Sequence, residues 1–92
     1  MDQTLAAYVL TLAEAAANTH TAADRSLYEK YLADAGVILA HAATGMPVSK
    51  LVPLLRAHDR LLGITWLLGP EHKEIFAAWK DVIDQAPDAR AT

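Results

Sequence analysis

Residues 21–47, TAADRSLYEKYLADAGVILAHAATGMP, carry the clearest fold signal in this chain. Apolar side chains recur there every three or four residues, which is the spacing of one face of an α-helix. Thr21 followed three residues later by Asp24 is typical of an N-terminal cap. Gly45 and then Pro47 follow the usual order of a C-cap and a stop signal. The stretch therefore predicts one long helix.

The same spacing on either side of this stretch predicts three more helices. The four predicted helices cover about 3–18, 22–44, 50–68 and 70–86. Asp2 is expected to cap the first helix and Ser49 the third, which places Pro53 at the end of a first turn, where proline is tolerated. Pro70 suits the first position of the fourth helix, and 87–92 are expected to form a flexible tail. Because short connections favour antiparallel neighbours, we predict an all-α single domain, a small four-helix up-down bundle.

The composition agrees with a small helical domain and excludes several other classes. The chain has 92 residues, of which 53% are hydrophobic and 21% charged, with no cysteine and a net charge of −3. A mean hydropathy of +0.15 is too apolar for a disordered chain, and the missing cysteines exclude a disulfide scaffold. The first residues lack a basic region followed by an apolar one, and the apolar run 61–69 is too short to span a bilayer. We therefore expect a cytoplasmic protein with no membrane association.

Two segments lack Asp, Glu, Lys and Arg altogether, namely 35–49 and 61–70. A helix that is apolar on every side is expected to be buried, and a chain this short has no further element to cover both segments. A two-fold axis could lay one segment against the other, so we predict a homodimer or a surface for another protein. The expected interface residues are Val37, Leu39, Ile64, Trp66, Leu67 and Leu68.

His58 lies on the apolar face of the predicted third helix. Antiparallel pairing with the second helix would set it opposite roughly Asp34 or Ala35. A histidine beside a carboxylate could form a ligand or proton-transfer site that works near neutral pH. A buried histidine with one satisfied nitrogen is the simpler interpretation, and the sequence leaves both open.

A second group of polar residues could meet at one end of such a bundle: His20, Asp24, Glu71, His72 and Glu74. Solvated residues at helix ends are the simpler interpretation, so we expect no metal and no cofactor. The chain has no cysteine, no Gly-x-Ser-x-Gly motif and no glycine-rich phosphate loop. We therefore expect that it is not an enzyme and has no catalytic residue.

Residues 44–52, TGMPVSKLV, resemble the turn and the start of the recognition helix of some winged-helix repressors. The resemblance implies a DNA-binding regulator that docks its third helix in a groove. Pro53 inside that helix, the absence of a strand-like wing and the acidic net charge count against it, since DNA binders usually carry a basic stripe. Nucleic acid is therefore an unfavoured partner.

The preferred function is a non-enzymatic helical protein–protein interaction module, an adaptor or regulator that binds itself or another protein. A DNA-binding regulator is one alternative, and a small metal- or ligand-binding helical bundle is the other.

Overall fold

The computed structural model describes residues 1–63 and 72–90, and this part of the chain is all-helical. Its elements are α1 (Asp2–Asn18), α2 (Ala22–Ala43), α3 (Val48–Gly63), α4 (His72–Ile83) and a 3-10 turn, Pro87–Ala89. No strand occurs within the described ranges, so the all-α prediction is confirmed. The predicted end of the third helix at 68 and start of the fourth at 70 lie outside the described residues.

Both ends of α2 form as the sequence predicts. The Thr21 hydroxyl accepts a hydrogen bond from the Asp24 backbone N–H at 3.2 Å. At the other end Gly45 has a φ of +95°, a left-handed conformation that costs glycine little. The Gly45 and Met46 N–H groups then bond back to the carbonyls of Ala42 and His41, a Schellman arrangement that satisfies carbonyls left over at the helix end.

Two predicted caps are wrong. Asp2 is the first residue of α1 rather than its cap, because the Met1 carbonyl already accepts the Leu5 N–H at 3.0 Å. Ser49 likewise lies inside α3, because the Pro47 carbonyl accepts the Lys50 N–H at 2.9 Å. The earlier start of α3 places Pro53 beyond the first turn, where its ring nitrogen has no hydrogen to donate.

The core forms where α1 packs along α2 and α4, while α2 packs along α3. Three tyrosines are among the largest fully buried side chains: Tyr8, Tyr28 and Tyr31. Buried aliphatic residues surround them, and several core positions hold only alanine. The buried aliphatic and alanine residues include Leu5, Leu12, Ala15, Ala16, Ala35, Ile38, Ala42, Leu51, Leu55, Leu62, Ile75 and Val82. In residues 1–63 and 72–90, none of the helices has both the length and the apolar character needed to cross a bilayer.

The segment after α4 differs from the predicted flexible tail. Instead of continuing to 86, α4 ends at Ile83, and the Gln85 and Ala86 N–H groups make tighter bonds to carbonyls three residues back. Pro87 then disfavours helical geometry for the residue before it. The turn that follows packs against α3 and buries Ala89 completely, and Arg56 donates a hydrogen bond to the Asp88 carbonyl. Up to Arg90, this segment is therefore part of the folded unit.

Replacing Ala89 with aspartate should lower the free energy of unfolding by about 1–3 kcal/mol, because it places an unpaired carboxylate at a buried position. Urea unfolding measures the loss. Ala77→Asp is the control, since Ala77 is exposed on α4 and should lose only helix propensity, at most about 0.7 kcal/mol. Equal losses in the two variants would show that Ala89 is not held in the core.

Candidate functional site

The described residues bring one histidine into the centre of the fold. His58 lies on α3, is fully buried, and is surrounded by aromatic rings from the three other helices. Its ring centre lies 5.3 Å from that of Tyr8 on α1, 6.1 Å from that of Tyr31 on α2 and 4.8 Å from that of Trp79 on α4. All four helices therefore contribute to the surroundings of this one imidazole.

Both nitrogens of His58 have hydrogen-bond partners. Nδ1 lies 2.7 Å from Oδ2 of Asp34, and Nε2 lies 2.5 Å from the hydroxyl of Tyr8. An ionised carboxylate can only accept, so we assign the ring hydrogen to Nδ1, and the Tyr8 hydroxyl then donates to Nε2. We call Tyr8, His58 and Asp34 the buried triad. It joins a phenol, an imidazole and a carboxylate across three helices.

The two ends of the buried triad meet different environments. Tyr8 is fully buried, whereas the Asp34 side chain is 43% exposed. Burial lowers the pKa of His58 below its ordinary value of 6.5, although the hydrogen bond and charge of Asp34, and the charge of Asp59, oppose this. The His58–Asp34 contact is therefore a hydrogen bond from a neutral imidazole rather than an ion pair at neutral pH.

Burial also raises the pKa of the Tyr8 phenol far above its usual 10, and the charges of Tyr31, Asp34 and Asp59 act in the same direction. A phenol in this state holds its proton at all ordinary pH values. Tyr8 therefore serves as a hydrogen-bond donor to His58, which fits the assigned tautomer.

Two further hydrogen bonds hold the rings around His58. The indole N–H of Trp79 donates to Oδ1 of Asp59 at 2.7 Å, which joins α4 to α3. The hydroxyl of Tyr31 donates to the Leu61 carbonyl at 3.3 Å, which joins α2 to α3. These bonds fix the orientation of the Trp79 and Tyr31 rings against the imidazole. Hydrogen-bond geometry as well as packing therefore sets the positions of the rings.

The sequence placed His58 opposite Asp34 or Ala35, and the structure brings His58 into contact with Asp34. Its use as a ligand or proton site stays a prediction. Sequence reasoning missed Tyr8 and Trp79 as partners, although both lie on predicted apolar stripes. Each of these two residues carries a polar atom, a hydroxyl on Tyr8 and an indole N–H on Trp79. Such an atom usually has a hydrogen-bond partner when it is buried, and this is the signal that could have indicated both residues.

The predicted interface residues fall into two groups. Val37 is 55% exposed, while Leu39 is half-buried and packs against the core. The remaining four, Ile64, Trp66, Leu67 and Leu68, lie outside the described residues. Their part in an interface stays a prediction.

The polar residues weighed as metal ligands are differently placed. His20 is exposed, whereas His72 is buried with its ring 5.6 Å from those of Tyr28 and Phe76. Glu71 lies outside the described residues. Among the residues that are described, no group of three or more His, Asp or Glu side chains is placed to hold a metal ion.

The basic residues of α3 are exposed: Lys50, Arg56 and Arg60. Arg56 is engaged within the chain, since it donates to the Asp88 carbonyl at 2.5 Å. Asp59 lies between Arg56 and Arg60 and accepts the Trp79 indole N–H. The described α3 therefore does not present an unbroken basic stripe of the kind that neutralises DNA phosphates.

Comparison with known proteins gives no family model, no curated protein and no solved structure that matches this chain. The buried triad and the exposed part of 35–49 are thus the two features from which function can be argued. No pocket opens onto the triad within the described part of the chain.

Proposed function

We propose that the chain is a non-enzymatic helical interaction module, an adaptor or regulator in the cytoplasm, that works as a homodimer. In this proposal the four helices form an up-down bundle, and the dimer forms through the charge-free segments 35–49 and 61–70. The observation that carries the proposal is the exposure of Val37 within the first of these segments.

Val37 is one of the few large apolar residues left exposed in the described part of the chain. It is 55% exposed, and Ala40 and Ala43, further along the same segment of α2, are also exposed. Val48, at the start of α3 and still within the segment, is 39% exposed. An apolar surface without charged residues is typical of the centre of a protein–protein interface.

A second copy of the chain is the occupant that the charge distribution favours. Two copies carry the same net charge of −3, so they approach with least repulsion through a surface that bears no charge. A two-fold axis places the same uncharged patch on both sides, which requires no complementary charge from a different partner. The dimer is thus the simplest way to cover Val37.

The up-down arrangement is supported by the order of contacts between helices. Tyr31 and Asp34 of α2 meet Leu61 and His58 of α3 in reversed order, as antiparallel neighbours do. The contacts of α3 with the last part of the chain are also reversed, since Asp59 meets Trp79 while Arg56 meets Asp88.

Replacing Val37 with glutamate should dissociate the dimer, because it places two charges of the same sign at the two-fold interface. Size-exclusion chromatography with light scattering at micromolar concentration should give the mass of two chains for the native protein and of one chain for Val37→Glu. The free energy of unfolding of the isolated monomer should change by no more than about 0.5 kcal/mol.

Leu10→Glu is the matched control. Leu10 is 59% exposed on α1 and lies outside both charge-free segments, so this variant should remain dimeric. A native protein with the mass of one chain would contradict the homodimer. Dissociation by both substitutions alike would contradict the assignment of the interface to residues 35–49.

A further inference from the structure

The buried triad holds His58 in the neutral form by geometry. The Nδ1 hydrogen points to Asp34, and the lone pair of Nε2 accepts the Tyr8 hydroxyl hydrogen. Every polar atom of the imidazole is thus used in the neutral state, and the ring has no contact with water because it is fully buried. Such a site discriminates sharply between the two protonation states.

A second proton on His58 disrupts one of these hydrogen bonds. It must bind Nε2, which is the atom that accepts the Tyr8 hydroxyl hydrogen. Two hydrogens then face each other unless the hydroxyl turns, and a turned hydroxyl has to find another acceptor in a fully buried position. Protonation therefore weakens the contact through which α1 reaches α3.

The other groups that face His58 do not restore this contact. From α2 the ring faces Asp34 and Tyr31, from α1 it faces Tyr8, and on α3 itself Asp59 is the neighbouring charge. From α4 it faces Trp79, which does not titrate. Asp34 and Asp59 favour a cationic imidazole, but burial opposes the charge more strongly. Asp34 already accepts the Nδ1 hydrogen, and Asp59 already accepts the Trp79 N–H.

We propose that the buried triad is an acid-sensitive switch, in which a second proton on His58 takes away the acceptor of the Tyr8 hydroxyl hydrogen and weakens the link between α1 and α3. The switch goes beyond the interaction module, and it operates in a monomer as well as in a dimer. Its ligand is the proton, and its output is a less stable fold at mildly acidic pH.

Urea unfolding between about pH 7.5 and about pH 5 tests the switch. The pKa of His58 is lower in the folded than in the unfolded chain, so the unfolded chain binds the proton more readily and acid favours unfolding. The stabilising contribution is complete above the ordinary pKa of 6.5 and is lost as the pH falls through the folded pKa. The unfolding equilibrium constant should rise by up to about tenfold per pH unit, the limit for one proton.

His58→Gln removes the titrating ring while keeping one amide donor and one amide acceptor. It should flatten the pH dependence, whereas His20→Gln, at an exposed histidine, should keep the native slope. If the free energy of unfolding depended on pH in the same way in the native protein and in His58→Gln, the proposed switch would be overturned.

Nuclear magnetic resonance of the native imidazole decides the matter even where His58→Gln fails to fold. We expect the Nδ1–H tautomer at neutral pH and a titration midpoint below 6.5. An Nε2–H tautomer, or a midpoint at or above 6.5, would exclude the proposed switch. Neither measurement depends on the oligomeric state, so a monomeric native protein leaves this inference intact.

Discussion

Tyr8→Ala should lower the free energy of unfolding by about 3–5 kcal/mol, the range for removing a large buried aromatic side chain. Tyr8 has no exposed surface and packs with its ring centre 4.9 Å from that of Trp79. The substitution removes this ring and leaves Nε2 of His58 without its donor. Small domains have a total stability of about 5–15 kcal/mol, so a large fraction of the native stability is expected to disappear. Urea unfolding followed by circular dichroism measures the loss.

Tyr8→Phe is the matched control, because it keeps the ring and removes only the hydroxyl. It should lose about 1–3 kcal/mol, the cost of one buried acceptor left unsatisfied. The difference between the two variants separates packing from hydrogen bonding. If Tyr8→Phe were as stable as the native protein, the Tyr8–His58 bond would have no role in stability, and the buried triad would be reduced to a His58–Asp34 pair.

Trp79→Ala should lower the free energy of unfolding by a similar amount, about 3–5 kcal/mol. The indole is almost completely buried, contacts the rings of both Tyr8 and His58, and donates to Asp59. Its removal leaves a cavity between α4 and the ring of His58. Circular dichroism is the suitable probe, because the substitution removes one of the chain's two tryptophans and so changes the fluorescence signal itself.

Trp79→Phe keeps an aromatic ring and loses the N–H. Its free energy of unfolding should therefore lie between those of the native protein and Trp79→Ala. A double variant that combines Trp79→Ala with Tyr8→Ala adds a further check. Because the two rings touch, their losses should be non-additive by about 0.5–1.5 kcal/mol. Strict additivity would show that the rings stabilise the fold independently.

The helical class could be predicted from the sequence because local signals agree with it. At the start of α2 the Thr21 side-chain oxygen accepts a backbone N–H. At its end the positive φ of Gly45 lets nearby N–H groups bond to the last carbonyls of the helix. The starts of α1 and α3 could not be placed as well. There the backbone carbonyls of Met1 and Pro47 close the first turn, and this requires no particular side chain that a sequence would reveal.

The candidate site was likewise predictable only in part. The His58–Asp34 contact follows from one antiparallel pairing, so counting residues from the turn was sufficient. Tyr8 and Trp79 come from helices whose register relative to α3 depends on packing of the entire core. Nor did the sequence indicate that Ala89 is buried, because a short alanine-containing segment after proline has no periodic pattern to read.

The unequal exposure of the buried triad determines how quickly it can respond to acid. Its carboxylate end is 43% open to water while the imidazole is fully enclosed. The second proton has to bind Nε2, however, and this atom faces the fully buried Tyr8 rather than the open Asp34 end. Entry of the proton therefore requires a local opening of the core beside Tyr8, so His58 should respond to acid more slowly than a histidine in contact with water.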